Sequence, residues 1–191
     1  GISAQLKSAV ILAALNSYGN TVIQELKESR NHTENFLLES KNVLNIKKNK
    51  KKLNLLTISG KKYLKPLNVK VPGDPSSSAF FAALTLLNKN SVIKIKNVGL
   101  NPRRIGYYKL LKKHGAKIFF KNVKKNNNEL IGDILVYSSK IKPINSPSIY
   151  YPITTDEYPI LFIIAALTKG VSKFKGIEDL ANKESNRIRE M

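Results

Sequence analysis

Near the end of the chain, Lys183-Glu184-Ser185-Asn186-Arg187 brings two cations and a carboxylate within a few residues. If a helix opens near Asn182, Lys183 and Arg187 share one face and Glu184 lies about 100° round from Lys183. A helix N-terminus also presents free backbone N–H groups, so the stretch reads as an anion holder with a proton donor beside it. Taken alone, it has a commoner explanation, a solvated helix of mixed charge. Elsewhere the reactive side chains are few. There is no cysteine, hence no disulfide, thiolate metal site or Cys nucleophile. His32 and His114 are the only imidazoles and form no H-x-x-H pair, which argues against a zinc or Ser-His-Asp enzyme.

The 191 residues suffice for one large domain or two small ones, and 42% hydrophobic against 24% charged content predicts that most of the chain folds. No apolar run reaches the roughly 18 residues of a membrane span. The chain starts at Gly1 with no basic-then-apolar leader, and the expectation is a cytoplasmic protein that binds no membrane. A formal charge of +20 raises the question of nucleic acid. The excess is almost all Lys amid many Asn and Ile, a bias that A+T-rich coding gives whatever the function. The densest run, Lys47–Lys52, has no interleaved aromatic for base stacking, so it reads as a solvated turn. The expectation is no nucleic-acid partner, with the positive field steering small anions.

The elements that must position such a site show when the three most apolar stretches are aligned. Each has a small or acidic polar entry, a helix containing Ala-Ala-Leu (from Ala13, Ala82 and Ala165), a Gly/Asn turn and a β-branched strand. The entries read as N-caps: Ser3, then Ser76 or Ser77, then Thr155 or Asp156. The helices carry apolar residues nearly all round and are expected to be buried on most sides. The strands are predicted at Thr21–Leu26, Val92–Val98 and Val171–Lys175. A second helix opens near Arg30–Glu34, near Asn101–Arg104 with Pro102 at the first helical position, and near Lys183; Gly115 ends the middle one. Lys41–Lys52, Lys61–Val71, Ala116–Phe120 and Asp133–Tyr137 read as strands, and Asn126–Asn128 as an exposed turn. The unit is β-α-β-α-β-β, too long for a solenoid repeat and suited to a repeated subdomain. The third unit stops at Met191 without its closing strands, so the expectation is an internal segment of a longer protein.

These polar entries resemble the EPSP synthase family of enolpyruvyl transferases, along the whole chain. Ser3-Ala4-Gln5-Leu6-Lys7-Ser8-Ala9 resembles that family's S-A-Q-x-K-S-A, and Ser29–Glu34 its S-R-D-H-T-E. Val71–Ser77 resembles V-x-G-D-x-S-S, Asn101–Arg104 resembles N-P-x-R, and Asp156–Pro159 resembles D-E-x-P. Lys183–Arg187 resembles K-E-S-D-R. Six short motifs in order, each opening a repeat helix, make a specific signal. Asn31 and Asn186 depart from it, standing where the family usually has Asp.

The resemblance implies an α/β fold, an inside-out α/β barrel of repeated β-α-β-α-β-β units in two domains. Residues 1–70 would be the last unit of one domain, incomplete at its start, and 71–191 one complete and one truncated unit of the other. It implies transfer of the enolpyruvyl group of phosphoenolpyruvate to the 5-hydroxyl of shikimate 3-phosphate, without metal or organic cofactor, by a protein expected to be monomeric at full length. By the same resemblance Asp156 holds the shikimate hydroxyls and is the candidate base, while Lys183 binds that substrate and shares the proton transfer. Glu184 is the acid for the methylene carbon, and Arg187 holds phosphoenolpyruvate. Ser3, Ala4, Gln5 and Arg30 bind shikimate 3-phosphate. Without the family, Ser3 and Asp156 read as caps and Arg30, Lys183 and Arg187 as surface charges. Asp74 and Ser76–Ser78 read as structural either way. The segment alone is expected to be inactive, and the sister transferase acting on UDP-N-acetylglucosamine is the nearest rival.

Overall fold

Apolar residues switch along the chain between helical spacing and strict alternation, and the elements follow that switch. A computed structural model of the protein describes residues 3–191. It divides into two units, residues up to Lys70 with Lys125–Glu129, and Val71–Lys124 with Leu130–Met191.

In the first unit the order is α1 (Ala4–Asn16), β1 (Asn20–Glu25), α2 (His32–Leu37), β2 (Leu44–Lys48) and β3 (Asn54–Ser59). The strands form an antiparallel sheet in the order β1-β3-β2. Asn54–Ser59 alternates buried and half-buried positions, as a central strand with one face on a helix must. Ile11 and Ala14 of α1 meet Leu44, Leu56 and Ile58 of the sheet to make the core.

The second unit begins with the same plan: α3 (Pro75–Leu87), β4 (Val92–Gly99), α4 (Gly106–Lys113), β5 (Lys117–Asn126) and β6 (Glu129–Tyr137). Its sheet runs β4-β6-β5, the same first-third-second order. A further repeat follows, with the short parallel pair β7 (Asn145–Ser146) and β8 (Lys173–Phe174) flanking α5 (Tyr158–Ala166). A 3-10 turn at Ser148–Ile153 leads into α5, a second at Glu178–Asn182 follows β8, and α6 is one turn, Arg187–Glu190. Helices α3 and α5 pack together, and fully buried Ala79, Ala82, Tyr107, Tyr108 and Leu161 lie in one core. The Tyr108 hydroxyl donates to the Pro75 carbonyl at 2.8 Å and Tyr107 to that of Ala79 at 3.3 Å, which ties α4 to the first turns of α3.

Several sequence expectations need correction. Asp74, not Ser76 or Ser77, caps α3: Pro75 takes the first helical position, so the residue before it caps, accepting from the Ser77 N–H at 2.8 Å. Pro102 does not open α4. The Asn101 side chain and carbonyl take the N–H groups of Arg103 (2.9 Å) and Arg104 (2.8 Å), closing a turn that delays the helix to Gly106. Neither Thr155 nor Asp156 caps α5; Glu157 holds that position and makes no side-chain cap, while Thr155 donates to the Tyr151 carbonyl at 2.7 Å. Residues 61–71 form no named strand, and β8 is only two residues long. The helices are not buried on most sides. Each lays one face on its neighbours and leaves Leu6, Val10 and Leu12 of α1, and Phe80, Phe81 and Leu84 of α3, exposed. The Asn126–Asn128 turn is half-buried rather than exposed. Asn127 and Asn128 both have positive φ, the requirement of a tight hairpin, and the Asn128 amide donates to Glu39 at 2.7 Å.

Candidate active site

The first unit carries the candidate residues Ser3, Ala4, Gln5 and Arg30. Ser3 has extended backbone, and its Oγ accepts from the Leu6 N–H at 3.3 Å, so it does cap α1. The N–H groups of Ala4 and Gln5 belong to the first turn, where no intrahelical partner exists and no acidic residue competes. Gln5 is exposed, and Arg30 is half-buried in the connection between β1 and α2.

Beneath them lies a buried charge cluster that sequence reasoning missed. Lys7 Nζ sits 2.8 Å from Glu25 Oε1 and also pairs with Glu34. The same Glu25 oxygen accepts from the Ser29 N–H (2.9 Å) and hydroxyl (3.1 Å), and its other oxygen accepts from Asn54 at 2.9 Å. Burial would raise the Glu25 carboxyl, but the hydrogen bonds from Asn54, Lys7 and Ser29 outweigh it and hold it at about 2 against an ordinary 4.5. Ser29, the neighbour of Arg30, is thereby anchored to the first turns of α1. Between them opens a cleft of about 420 Å3 lined by Ser3, Lys7, Gln24, Lys27 and Ser29 among others. Lys7 was visible in the S-A-Q-x-K motif, but nothing in its spacing announced two carboxylate partners.

The second unit carries Asp156, Lys183, Glu184 and Arg187. Asp156 is not spent on capping, and its carboxylate faces two guanidinium groups. Arg104 Nη1 stands 3.5 Å from one oxygen and Arg187 Nη1 3.9 Å from the other. Arg187 also donates to Glu184 Oε2 at 2.8 Å. Glu184's own backbone N–H, and then Arg187, hold its carboxyl below the usual range. Arg187 is therefore the centre of the second unit's cluster, with a carboxylate on each side.

Lys183 and Arg187 do not share a helix, contrary to expectation. The 3-10 turn ends at Asn182, Lys183 is extended, and Asn186 caps the short α6 by accepting from the Arg189 N–H at 3.0 Å. That cap holds the preceding residues out of the helix. Lys183 turns instead to Asp179 at 3.1 Å, whose second partner is the Tyr151 hydroxyl at 2.7 Å. The hydrogen bonds from Tyr151 and Lys183 lower the Asp179 carboxyl, while burial and Asp179 push the Tyr151 phenol up. Tyr151, Asp179 and Arg104 gave no chemical signal beyond the position of Arg104 in a helix-opening motif. Gly106 packs against the segment before Asp156: a Cβ there would stand 2.5 Å from the Ile153 carbonyl oxygen. Among the described residues no cluster of His, Asp or Glu suits a metal ion, and no helix is long and apolar enough to cross a membrane.

A family model described as EPSP synthase (3-phosphoshikimate 1-carboxyvinyltransferase) matches residues 1–191. A 3-phosphoshikimate 1-carboxyvinyltransferase of Zymomonas mobilis is 40% identical over 186 residues, covering 97% of this chain and 41% of that protein. One of Petrotoga mobilis is 42% identical over 189 residues, covering 98% and 42%. The solved EPSP synthase of Acinetobacter baumannii superposes with a TM-score of 0.85 at 34% identity, over 98% of this chain and 41% of that one. The α/β fold expected from the resemblance is thus the fold found, and the chain spans about two-fifths of the length of these relatives. The chain belongs to the EPSP synthase family.

Proposed function

We propose that the full-length protein transfers the enolpyruvyl group of phosphoenolpyruvate to the 5-hydroxyl of shikimate 3-phosphate and releases phosphate. The observation that carries this reading is Arg187, a fork suited to a carboxylate or phosphate, set between the carboxylates of Asp156 and Glu184. The relatives are 3-phosphoshikimate 1-carboxyvinyltransferases, which supports shikimate 3-phosphate as the acceptor of the carboxyvinyl group.

The reaction needs an anion holder with a base and an acid near it. The acceptor hydroxyl loses its proton to Asp156, with Lys183 sharing the transfer, as the oxygen bonds to C2 of phosphoenolpyruvate. Glu184 delivers a proton to the methylene carbon, making a tetrahedral adduct with a methyl group. Loss of phosphate, with one methyl proton returned to the Glu184 carboxylate, then restores the double bond. Ser3, Ala4, Gln5 and Arg30 hold the phosphate of shikimate 3-phosphate, for which the open first turn of α1 is suited.

Phosphoenolpyruvate competes with Glu184 for Arg187. As the substrate's own anionic groups take the guanidinium, the Glu184 carboxylate keeps its backbone N–H but loses one of the contacts that hold it below the usual range, a shift in the direction that proton delivery needs.

On this reading residues 1–70 are the last unit of one domain and 71–191 one complete and one truncated unit of the other. The protein acts as a cytoplasmic monomer, and its positive charge draws anionic substrates rather than nucleic acid. Turnover of the full-length protein with shikimate 3-phosphate and, separately, with UDP-N-acetylglucosamine tests the reading.

A further inference from the structure

The carboxylate of Asp156 meets an arginine from a distant turn, Arg104. Asp156 lies just before α5, whose cap position, Glu157, makes no side-chain cap. The Asp156 carboxylate meets Arg187 on one oxygen and Arg104 on the other. The Arg104 side chain is only 13% exposed, and one terminal nitrogen, Nη2, donates to Asp74 Oδ1 at 2.7 Å and to Ser76 Oγ at 2.9 Å. The other, Nη1, faces Asp156 Oδ2 at 3.5 Å.

Each partner is fixed in turn. Asp74 is bound to the Ser77 N–H as the cap of α3, and the backbone of Arg104 is closed into the Asn101 turn. The Ser76 hydroxyl in turn donates a hydrogen bond to the carboxylate of Glu157, which is 3% exposed and adjacent to Asp156. The first turn of α3 therefore grips both members of the acidic pair, Glu157 through Ser76 and Asp156 through Arg104. The planar fork presents two separate nitrogens in a fixed geometry, one to the first turn of α3 and one to Asp156, where a lysine would offer a single point charge.

We infer that Arg104 is the positioning residue of Asp156, orienting its carboxylate from the capped N-terminus of α3. The inference rests on the assignment of Asp156 as the base. A carboxylate displaced by about 1 Å costs up to ~10²-fold in rate, so Arg104→Gln should lower kcat by roughly 10- to 100-fold and raise KM for shikimate 3-phosphate.

The test is a kinetic double-mutant cycle in the full-length protein, using Arg104→Gln, Asp156→Asn and the double variant, with the melting temperature of each recorded. Because Arg104 acts through Asp156, Arg104→Gln should add less than about 2-fold to the loss already present in Asp156→Asn. Losses that multiply would reduce Arg104 to a purely structural ion pair and overturn the inference. So would parental kcat and KM in Arg104→Gln beside an impaired Asp156→Asn. Full turnover in Asp156→Asn would remove Asp156 from the reaction, and the positioning role with it. If Arg104→Gln does not fold, Arg104→Lys keeps the charge without the fork: reduced kcat with a near-parental melting temperature supports the inference, and parental kinetics overturn it.

Discussion

The guanidinium of Arg187 donates to Glu184 at 2.8 Å, so the proposed proton donor and the proposed substrate holder occupy each other. Both cannot act while that pair persists. On the proposed reading, phosphoenolpyruvate takes Arg187 and frees Glu184 for proton transfer. Glu184→Gln keeps the shape and loses the transferable proton. In the full-length enzyme it should lower kcat by at least ~10²-fold with KM for both substrates little changed. Steady-state kinetics check this, and unchanged turnover would remove Glu184 from the mechanism.

Glu25 supplies a pH dependence of stability. Its folded-state value of about 2 lies below the ordinary 4.5, so its contribution is complete above about 4.5 and is lost as pH falls through about 2. The melting temperature of the full-length protein should decline across that window. Glu25→Gln should melt lower at neutral pH and lose the part of the decline that Glu25 supplies. Equal slopes in the two proteins would show that Glu25 does not couple to folding.

Lys7 faces two buried carboxylates, Glu25 and Glu34. Lys7→Met fits the space but leaves both acids without their cation, a change expected to cost about 3–5 kcal/mol by chemical denaturation. It should also loosen Ser29, and with it the Arg30 loop, raising KM for shikimate 3-phosphate. A loss below ~1 kcal/mol would place the cluster among weak, solvent-screened pairs.

Much of this architecture was readable from residue types. The helices with Ala-Ala-Leu, the cap at Ser3 and the end of α4 at Gly115 all follow from local chemistry that tertiary contacts leave alone. The misses share a cause, competition among side chains for the same backbone groups. Pro102 suits a helix start, yet Asn101 captures the amides that would open it. Lys183–Arg187 is periodic enough for a helix, yet Asn186 takes the Arg189 N–H and starts the helix late. Pro75 shifts the cap of α3 from serine to Asp74. The least legible part was the pairing of charges. Lys7 with Glu25 and Arg104 with Asp156 join residues distant in the chain, and no spacing rule reaches that far.

Phosphate release by the full-length protein, given phosphoenolpyruvate with each acceptor in turn, measures the proposed enolpyruvyl transfer directly. Release should require shikimate 3-phosphate and form the 5-enolpyruvyl ether in equal amount. No release with shikimate 3-phosphate, or release with UDP-N-acetylglucosamine in its place, would contradict it.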